Sequence, residues 1–121
     1  MSDPFFDTNI VIDWLKNRPE AAAELSKHRG QRISRVVWTE VLVGESAEGR
    51  DLVRRALSHF ETVEIDEPIA LAAAGIRHAT RMKLMDAYIL ATAQVNGAML
   101  ITRNTKDFPV DMPGIYVPYT L

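Results

Sequence analysis

The chain has 121 residues, the usual length of one domain, and can bury a hydrophobic core without disulfide bonds. It contains no cysteine, which excludes disulfide frameworks and thiolate metal sites. Its net charge of -2 argues against nucleic-acid binding through bulk charge alone. The first residues lack a basic leader, and no apolar run approaches the ~18 residues of a membrane span. We therefore expect a cytoplasmic, single-domain protein over residues 1–121 with no membrane association.

Short apolar runs separated by helical patterns divide the chain into alternating elements. Strands are predicted at residues 4–7, 32–34, 62–65, 98–101 and 115–117. Helices are predicted at residues 9–16, 19–28, 36–44, 50–60, 66–81 and 86–96. Thr8 or Asn9 is the expected cap of the first helix. Strands that alternate with helices indicate an α/β fold built on a parallel sheet.

Polar residues follow two of the predicted strands directly. Asp7 comes after the aromatic pair Phe5-Phe6, which predicts a carboxylate at the carboxyl end of the first strand. Ligands of open α/β sheets bind at that end of the strands. The run Leu100-Ile101 leads in the same way into oxygen-bearing side chains, for which an ordinary polar turn is the alternative interpretation. Those side chains are Thr102, Asn104 and Asp107.

Glu40 is hard to explain by structure alone, because its helical neighbours on the same face are apolar. A buried carboxylate needs a cation, hydrogen bonds or a proton, unless the helix is rotated and leaves Glu40 at its rim. Asp86 suits a helix N-cap, and from the carboxyl end of the sheet it can also reach a metal ion. Carboxylates without cysteine or paired histidine indicate a site for a hard metal ion.

Other charged residues receive structural interpretations. Asp13, which lies beside Lys16, is expected on the surface, and Asp66 is expected to cap a helix. The arginines occur in groups that form either solvated helix faces or a basic rim around an acidic site. These groups include Arg29, Arg32 and Arg35, then Arg50, Arg54 and Arg55, then Arg77 and Arg81.

Four segments together resemble the PIN-domain ribonucleases, and among them the VapC-type toxins of toxin–antitoxin pairs. The segments are Phe6-Asp7-Thr8-Asn9, Thr39-Glu40, Lys83-Leu84-Met85-Asp86-Ala87 with Ala91-Thr92-Ala93, and Thr102-Arg103-Asn104-Thr105-Lys106-Asp107-Phe108. They occur in the family's order over essentially the whole chain. The resemblance implies one compact PIN domain, with a parallel β-sheet flanked by helices on both sides.

The resemblance also implies the site residues. Asp7, Glu40 and Asp86 match the family's three acidic residues that bind Mg²⁺, or Mn²⁺ as a substitute. Relatives often carry a fourth acid where this chain has Asn104, and Asp107 is the nearest carboxylate. Either Asp107 assists in catalysis, or a second metal ion is bound weakly, or only one metal ion is ordered. Substrate-binding roles are implied for Thr8, Asn9, Thr102, Arg81 and Arg103.

The implied activity is metal-dependent endoribonuclease cleavage, in which the protein acts as a growth-inhibiting toxin. The implied partners are an RNA substrate, a second copy of the chain in a homodimer, and an antitoxin whose tail covers the site. One alternative is a catalytically weak or inactive RNA- or protein-binding module whose site has decayed at Asn104. Another is a receiver-like phosphotransfer module or phosphatase, which would place an acidic pair near the first strand, whereas Asp7 is followed by Thr8 and Asn9.

Overall fold

The computed structural model contains one five-stranded sheet, in which all neighbouring strands are parallel. The strands are β1 (Phe5–Phe6), β2 (Arg32–Ser34), β3 (Glu61–Val63), β4 (Leu100–Ile101) and β5 (Ile115–Tyr116). All five lie close to their predicted positions, which confirms the predicted α/β class. The structure describes residues 3–121, so Met1 and Ser2, part of the segment expected to lack a signal peptide, lie outside the described residues.

Six helices connect the strands within the described residues. They are α1 (Thr8–Leu15), α2 (Pro19–Ser26), α3 (Arg35–Val43), α4 (Ala47–Leu57), α5 (Glu67–Thr80) and α6 (Leu84–Val95). Pro19 occupies the first turn of α2, where its missing N–H has no helical partner to lose. None of these helices is long and apolar enough to cross a membrane.

The central strands are buried on both faces. Phe5 and Phe6 point to opposite sides of the sheet, yet their exposed fractions are only 1% and 0%. Leu100 and Ile101 of β4 are buried to the same degree. Continuous apolar strands of this kind require helices on both faces of a parallel sheet, as the family resemblance implies.

The strand order β3-β2-β1-β4-β5 creates one topological switch point. From β1 the chain moves outward through β2 to β3, and then returns to place β4 on the other side of β1. A crevice forms at such a reversal, beyond the carboxyl ends of the two strands that flank it. In this sheet those strands are β1 and β4, which Asp7 and Thr102 directly follow.

The first residue of α4, Ala47, lies three positions before the predicted start at residue 50, and the caps of two other helices differ from the prediction. Asp7 itself caps α1, because its carboxylate accepts the N–H of Thr8, and neither Thr8 nor Asn9 is the cap. The last helix begins at Leu84, so Asp86 lies in its first turn and does not cap it. A carboxylate in a first turn is still favoured by the positive end of the helix dipole. Asp66 caps α5 as predicted, by accepting the N–H of Ile69.

Candidate active site

A cavity of about 690 Å³ opens at the switch point. Four carboxylate side chains line it, together with the amide that follows β4 and one lysine. They are Asp7, Glu40, Asp86, Asp107, Asn104 and Lys83. Thr8 and Asn9 also line the cavity, while Thr102 reaches it through a hydrogen bond to Asp7. The fold therefore brings together acids that are distant in the sequence.

Asp7 is the most deeply buried of the four acids, with an exposed fraction of 3%. Its Oδ1 accepts the N–H of Thr8 at 2.7 Å, and its Oδ2 accepts the hydroxyl of Thr102 at 2.7 Å. Burial raises the pKa of Asp7 from its ordinary value of 3.8 to about 6, although these two hydrogen bonds act in the opposite direction. The charges of Asp86 and Glu40 raise the pKa further. Hydrogen bonds thus hold this carboxylate in place, but its surroundings do not fully stabilise its negative charge when it is ionised.

Glu40 reaches the cavity from α3, whose apolar residues Val36 and Val37 face the core. Ser34 caps this helix by accepting the N–H of Val37, which fixes where α3 starts relative to β2. The hydroxyl of Thr8 donates to Oε1 of Glu40 at 2.7 Å. Glu40 is half-buried, so the structure places it at the cavity wall and not in the apolar interface of α3.

Asp86 projects into the cavity from the first turn of α6. Burial raises the pKa of this carboxyl, and the nearby charges of Asp107 and Glu40 add to the increase. Lys83 acts in the opposite direction. Both Asp7 and Asp86 therefore carry negative charge that their surroundings do not fully neutralise.

Asn104 and Asp107 form a reciprocal pair after β4. Nδ2 of Asn104 donates to Oδ2 of Asp107 at 2.9 Å, and the backbone N–H of Asp107 donates to Oδ1 of Asn104 at 3.2 Å. The backbone N–H of Asn104 in turn donates to the hydroxyl oxygen of Thr102 at 3.0 Å. The amide thus orients Asp107, and both side chains line the cavity.

Asp13 is buried, with an exposed fraction of 2%, so its predicted surface position is wrong. Nε and Nη2 of Arg103 donate to its two oxygens at 2.7 and 2.9 Å, and the hydroxyl of Tyr119 donates to it at 2.8 Å. Burial alone would raise the pKa of Asp13, but these hydrogen bonds and the nearby cations hold it below the ordinary value. The polar neighbours in the sequence suggested solvent, and no local signal pointed to Arg103 or Tyr119.

This network supports the acidic cavity indirectly. The backbone N–H of Arg103 donates to Oδ1 of Asn9 at 3.2 Å, and Nδ2 of Asn9 contacts both Asp7 and Thr102 at 3.3 Å. The guanidinium group of Arg103 binds Asp13 of α1, so Arg103 connects the turn after β4 to α1. Arg81, the other arginine expected at the rim, is exposed at the end of α5 beside a neighbouring cavity.

Replacing Arg103 with methionine should lower the free energy of unfolding by about 3 kcal/mol. Asp13 would then remain charged inside the protein, and its remaining cationic partner among the described residues would be Arg18 at 3.9 Å. Urea unfolding measures the loss. The double variant Asp13→Asn/Arg103→Met should recover part of it, because no unpaired charge is then buried; equal stability of the single and double variants would contradict this interpretation.

The oxygen atoms that line the cavity suit a divalent metal ion, although the acidic side chains are not already arranged as a complete set of ligands. Within residues 3–121, no three acidic or histidine side chains stand close enough together to hold a metal ion. The cavity nevertheless offers carboxylate, amide and hydroxyl oxygens, the ligands that Mg²⁺ and Mn²⁺ prefer. Its acids also raise the pKa values of Asp7 and Asp86, so a cation placed among them would relieve mutual repulsion.

Comparisons with known proteins agree with this architecture. Residues 5–110 match the PIN domain family. A chain of a toxin–antitoxin complex from Klebsiella pneumoniae is 42% identical, with a TM-score of 0.89 over 98% of this chain and 99% of that one. A chain of the DNA-bound VapBC from Salmonella typhimurium is 25% identical, with a TM-score of 0.79 over 95% and 96% of the two chains.

A chain of FitAcB from Neisseria gonorrhoeae, 24% identical, shares the fold with a TM-score of 0.75 over 97% and 99% of the two chains. No curated protein matches the sequence. The family match covers most of the chain, and the carboxylate-lined cavity lies at the carboxyl end of the sheet as the resemblance implies. The chain therefore belongs to the PIN domain family, and its likeness to chains of toxin–antitoxin complexes, one of them VapBC, supports a PIN toxin of the VapC type.

Proposed function

We propose that this protein is a metal-dependent endoribonuclease that acts as the toxin of a toxin–antitoxin pair. The observation that carries the proposal is the convergence of four carboxylates in one open cavity at the switch point of a PIN fold. Two of them, Asp7 and Asp86, have raised pKa values, as expected where acids are arranged to share a cation. Membership of the PIN domain family and the toxin–antitoxin relatives support the same conclusion.

Asp7, Glu40 and Asp86 would hold the metal ion, partly through water molecules that Mg²⁺ retains, with Asn104 as a further oxygen ligand. Bound Mg²⁺ or Mn²⁺ would neutralise charge that develops on the phosphodiester and lower the pKa of a water molecule. Thr102 and Thr8 hold the carboxylates of Asp7 and Glu40 in fixed orientations through hydrogen bonds of 2.7 Å. Rigid positioning of this kind lowers the reorganisation that catalysis requires.

Asp107 would assist from the edge of the site. Asn104 fixes its carboxylate from one side, and Nζ of Lys83 lies 3.9 Å from it on the other. Asp107 keeps an exposed fraction of 25%, so it can accept a proton from solvent or from a substrate group at the cavity mouth. Asn104 in place of the family's usual acid therefore removes one negative charge from the site, and Asp107 remains as the carboxylate that follows β4.

An RNA substrate suits the openness of the site. A polyanion is repelled by four carboxylates, so productive binding requires the metal ion to reverse the local field. The cavity is open, and residues 3–121 add no clamp domain around it, which favours exposed single strands and loops whose bases can splay apart. Arg81 would contact a flanking phosphate, whereas the guanidinium of Arg103 is engaged by Asp13.

An apolar groove beside the site is the proposed seat of an antitoxin segment. The groove has a volume of about 570 Å³, runs between α1, α3 and α4, and shares Ile12 with the acidic cavity. Leu52, one of its lining residues, has an exposed fraction of 71%. An amphipathic helix could cover this groove and direct a basic side chain into the adjoining carboxylates.

We propose a homodimer that forms through apolar side chains at the edge of the acidic cavity. Ile65 and Met85 are exposed to 40% and 45%, and they line a small cavity with Thr39 and Glu40. A second copy packed there would bury these side chains and bring two acidic cavities next to one groove. Loss of the dimer in Ile65→Asp/Met85→Asp by analytical ultracentrifugation would support this contact.

The test is cleavage of an RNA pool by the purified protein with Mg²⁺, with Mn²⁺ or with EDTA. We expect cleavage with either metal ion and none with EDTA. Absence of cleavage, together with absence of Mg²⁺ and Mn²⁺ binding in calorimetry, would overturn the nuclease proposal. That result would favour the alternative of an inactive RNA- or protein-binding module in which Asn104 has weakened the site.

A further inference from the structure

A second cavity adjoins the acidic one and carries the opposite charge. Its volume is about 320 Å³, and it shares Lys83 and Asp107 with the acidic cavity. Three basic residues line it, and we refer to them as the basic cluster. They are Arg81, Lys83 and Lys106. The boundary between negative and positive surface therefore lies beside Asp107.

The positive charges of the basic cluster are weakly compensated. Lys83 has an exposed side-chain fraction of 75%, and its ion-pair partner is Asp107 at 3.9 Å. In the described part of the chain, no carboxylate oxygen lies within 4.0 Å of a side-chain nitrogen of Arg81 or Lys106. Such cations remain available to an anion from outside the protein.

Arg81 is held in a backbone conformation that favours glycine. It ends α5 with φ 62° and ψ 16°, in the left-handed region where a side chain is strained. Nη1 of Arg77 donates to the backbone oxygens of Arg81 and Met82 at 2.8 and 2.9 Å, which fixes this turn. A strained residue that the surrounding structure holds in place points to a role for its side chain.

We infer that the basic cluster is a subsite for a phosphodiester of single-stranded RNA, next to the one that enters the acidic cavity. This inference rests on the proposed function. An RNA strand that reaches the acids must place its neighbouring phosphates close by, and the basic cluster begins at the residues that both cavities share. Met82, Pro109 and Met112 line the same cavity and offer apolar contact to a sugar or base.

The experiment is fluorescence anisotropy of a labelled single-stranded RNA in Mg²⁺ buffer over a range of KCl concentrations. Both variants are made in an Asp86→Asn background, which prevents cleavage. Arg81→Ala/Lys83→Ala/Lys106→Ala removes the basic cluster, and Arg50→Ala/Arg54→Ala/Arg55→Ala is the matched control. The control removes the same charge from α4, where all three residues are exposed.

Loss of the basic cluster should weaken RNA binding at least about tenfold. The slope of log affinity against log salt should fall by about 0.7, which is the contribution of one neutralised phosphate in a single strand. The control should change both quantities much less. Equal losses in the two triple variants would overturn the subsite and leave the nuclease intact. Absence of RNA binding by the Asp86→Asn protein, together with absence of RNA cleavage by the unmodified protein, would overturn the proposed function and the subsite.

The single variant Arg81→Gly separates a binding role from a structural one. Glycine adopts the left-handed conformation without strain, so the melting temperature should rise. RNA affinity should nevertheless fall, because the cation is lost while both backbone hydrogen bonds from Arg77 remain possible. Unchanged RNA affinity in Arg81→Gly would count against Arg81 as part of the subsite.

Discussion

Asparagine in place of Asp7 should slow RNA cleavage by the Mg²⁺-loaded protein by about 10²- to 10⁴-fold. The substitution keeps the size of the side chain and removes the most deeply buried negative charge of the acidic cavity. Glu40→Gln and Asp86→Asn should fall in the same range, because each removes one of the proposed metal ligands. Asp107→Asn should have a smaller effect, since this carboxylate lies at the edge of the cavity beside Lys83. Single-turnover cleavage rates at saturating protein measure all four variants.

The matched control is Asp51→Asn, the same chemical change at an exposed position of α4. It should cleave RNA at the rate of the unmodified protein. Calorimetric titration with Mn²⁺ gives a second readout, in which Asp7→Asn and Asp86→Asn should weaken binding and the control should not. Retention of cleavage within about threefold by both Asp7→Asn and Asp86→Asn would place the chemistry elsewhere and contradict the proposed site.

The position of the acidic site was predictable because it depends on simple chain geometry. Parallel strands end at the same edge of a sheet, so Asp7 after β1 and Thr102 after β4 had to lie near each other once the strands were identified. Glu40 was informative for a related reason, because a carboxylate among apolar helical neighbours requires a polar partner. The structure supplies one in the hydroxyl of Thr8, which lies 32 positions away in the sequence.

Features that depend on tertiary contacts were not predictable. Asp13 has polar neighbours along the chain, and its partners Arg103 and Tyr119 lie 90 and 106 positions away. Tyr119 belongs to a C-terminal segment without helix or strand, where no periodicity indicates what a side chain contacts. The start of α6 was misplaced because aspartate is favoured both as a cap and in the first turn, and sequence preference alone does not separate the two positions.

In EDTA, the free energy of unfolding should fall by about 3 kcal/mol, through Asp7 alone, as pH rises from about 4 to about 7.5. The pKa of Asp7 is about 6 in the folded protein, and its ordinary value is 3.8. Between these values the folded chain binds more protons than the unfolded chain, so stability decreases as pH increases. Asp86 has a raised pKa and acts in the same direction. Asp13 has a lowered pKa, so its contribution is lost only at pH values below 3.8.

The comparison that isolates Asp7 is urea unfolding of the unmodified protein and Asp7→Asn across this pH range. The difference in their unfolding free energies should change by about 3 kcal/mol, with the variant favoured at high pH. Mg²⁺ at about 100 times its dissociation constant should restore about 2.7 kcal/mol at pH 7.5. At pH 4, where Asp7 is protonated, the same Mg²⁺ concentration should have little effect, because the ion would have to displace that proton.

The pH dependence in EDTA and the stabilisation by Mg²⁺ both depend on the charge of Asp7. Burial, together with the charges of Glu40 and Asp86, makes ionised Asp7 unfavourable in the metal-free fold, and a divalent ion among these acids removes that penalty. Two outcomes would contradict a metal ion held at Asp7. One is a stability difference that favours the unmodified protein over Asp7→Asn increasingly as pH rises, and the other is an equal gain in stability from Mg²⁺ in both proteins. If both results are observed, the stability that the metal-free protein loses by ionising Asp7 is recovered when the metal ion binds. The stability of this fold is then coupled to the cation that its proposed chemistry needs.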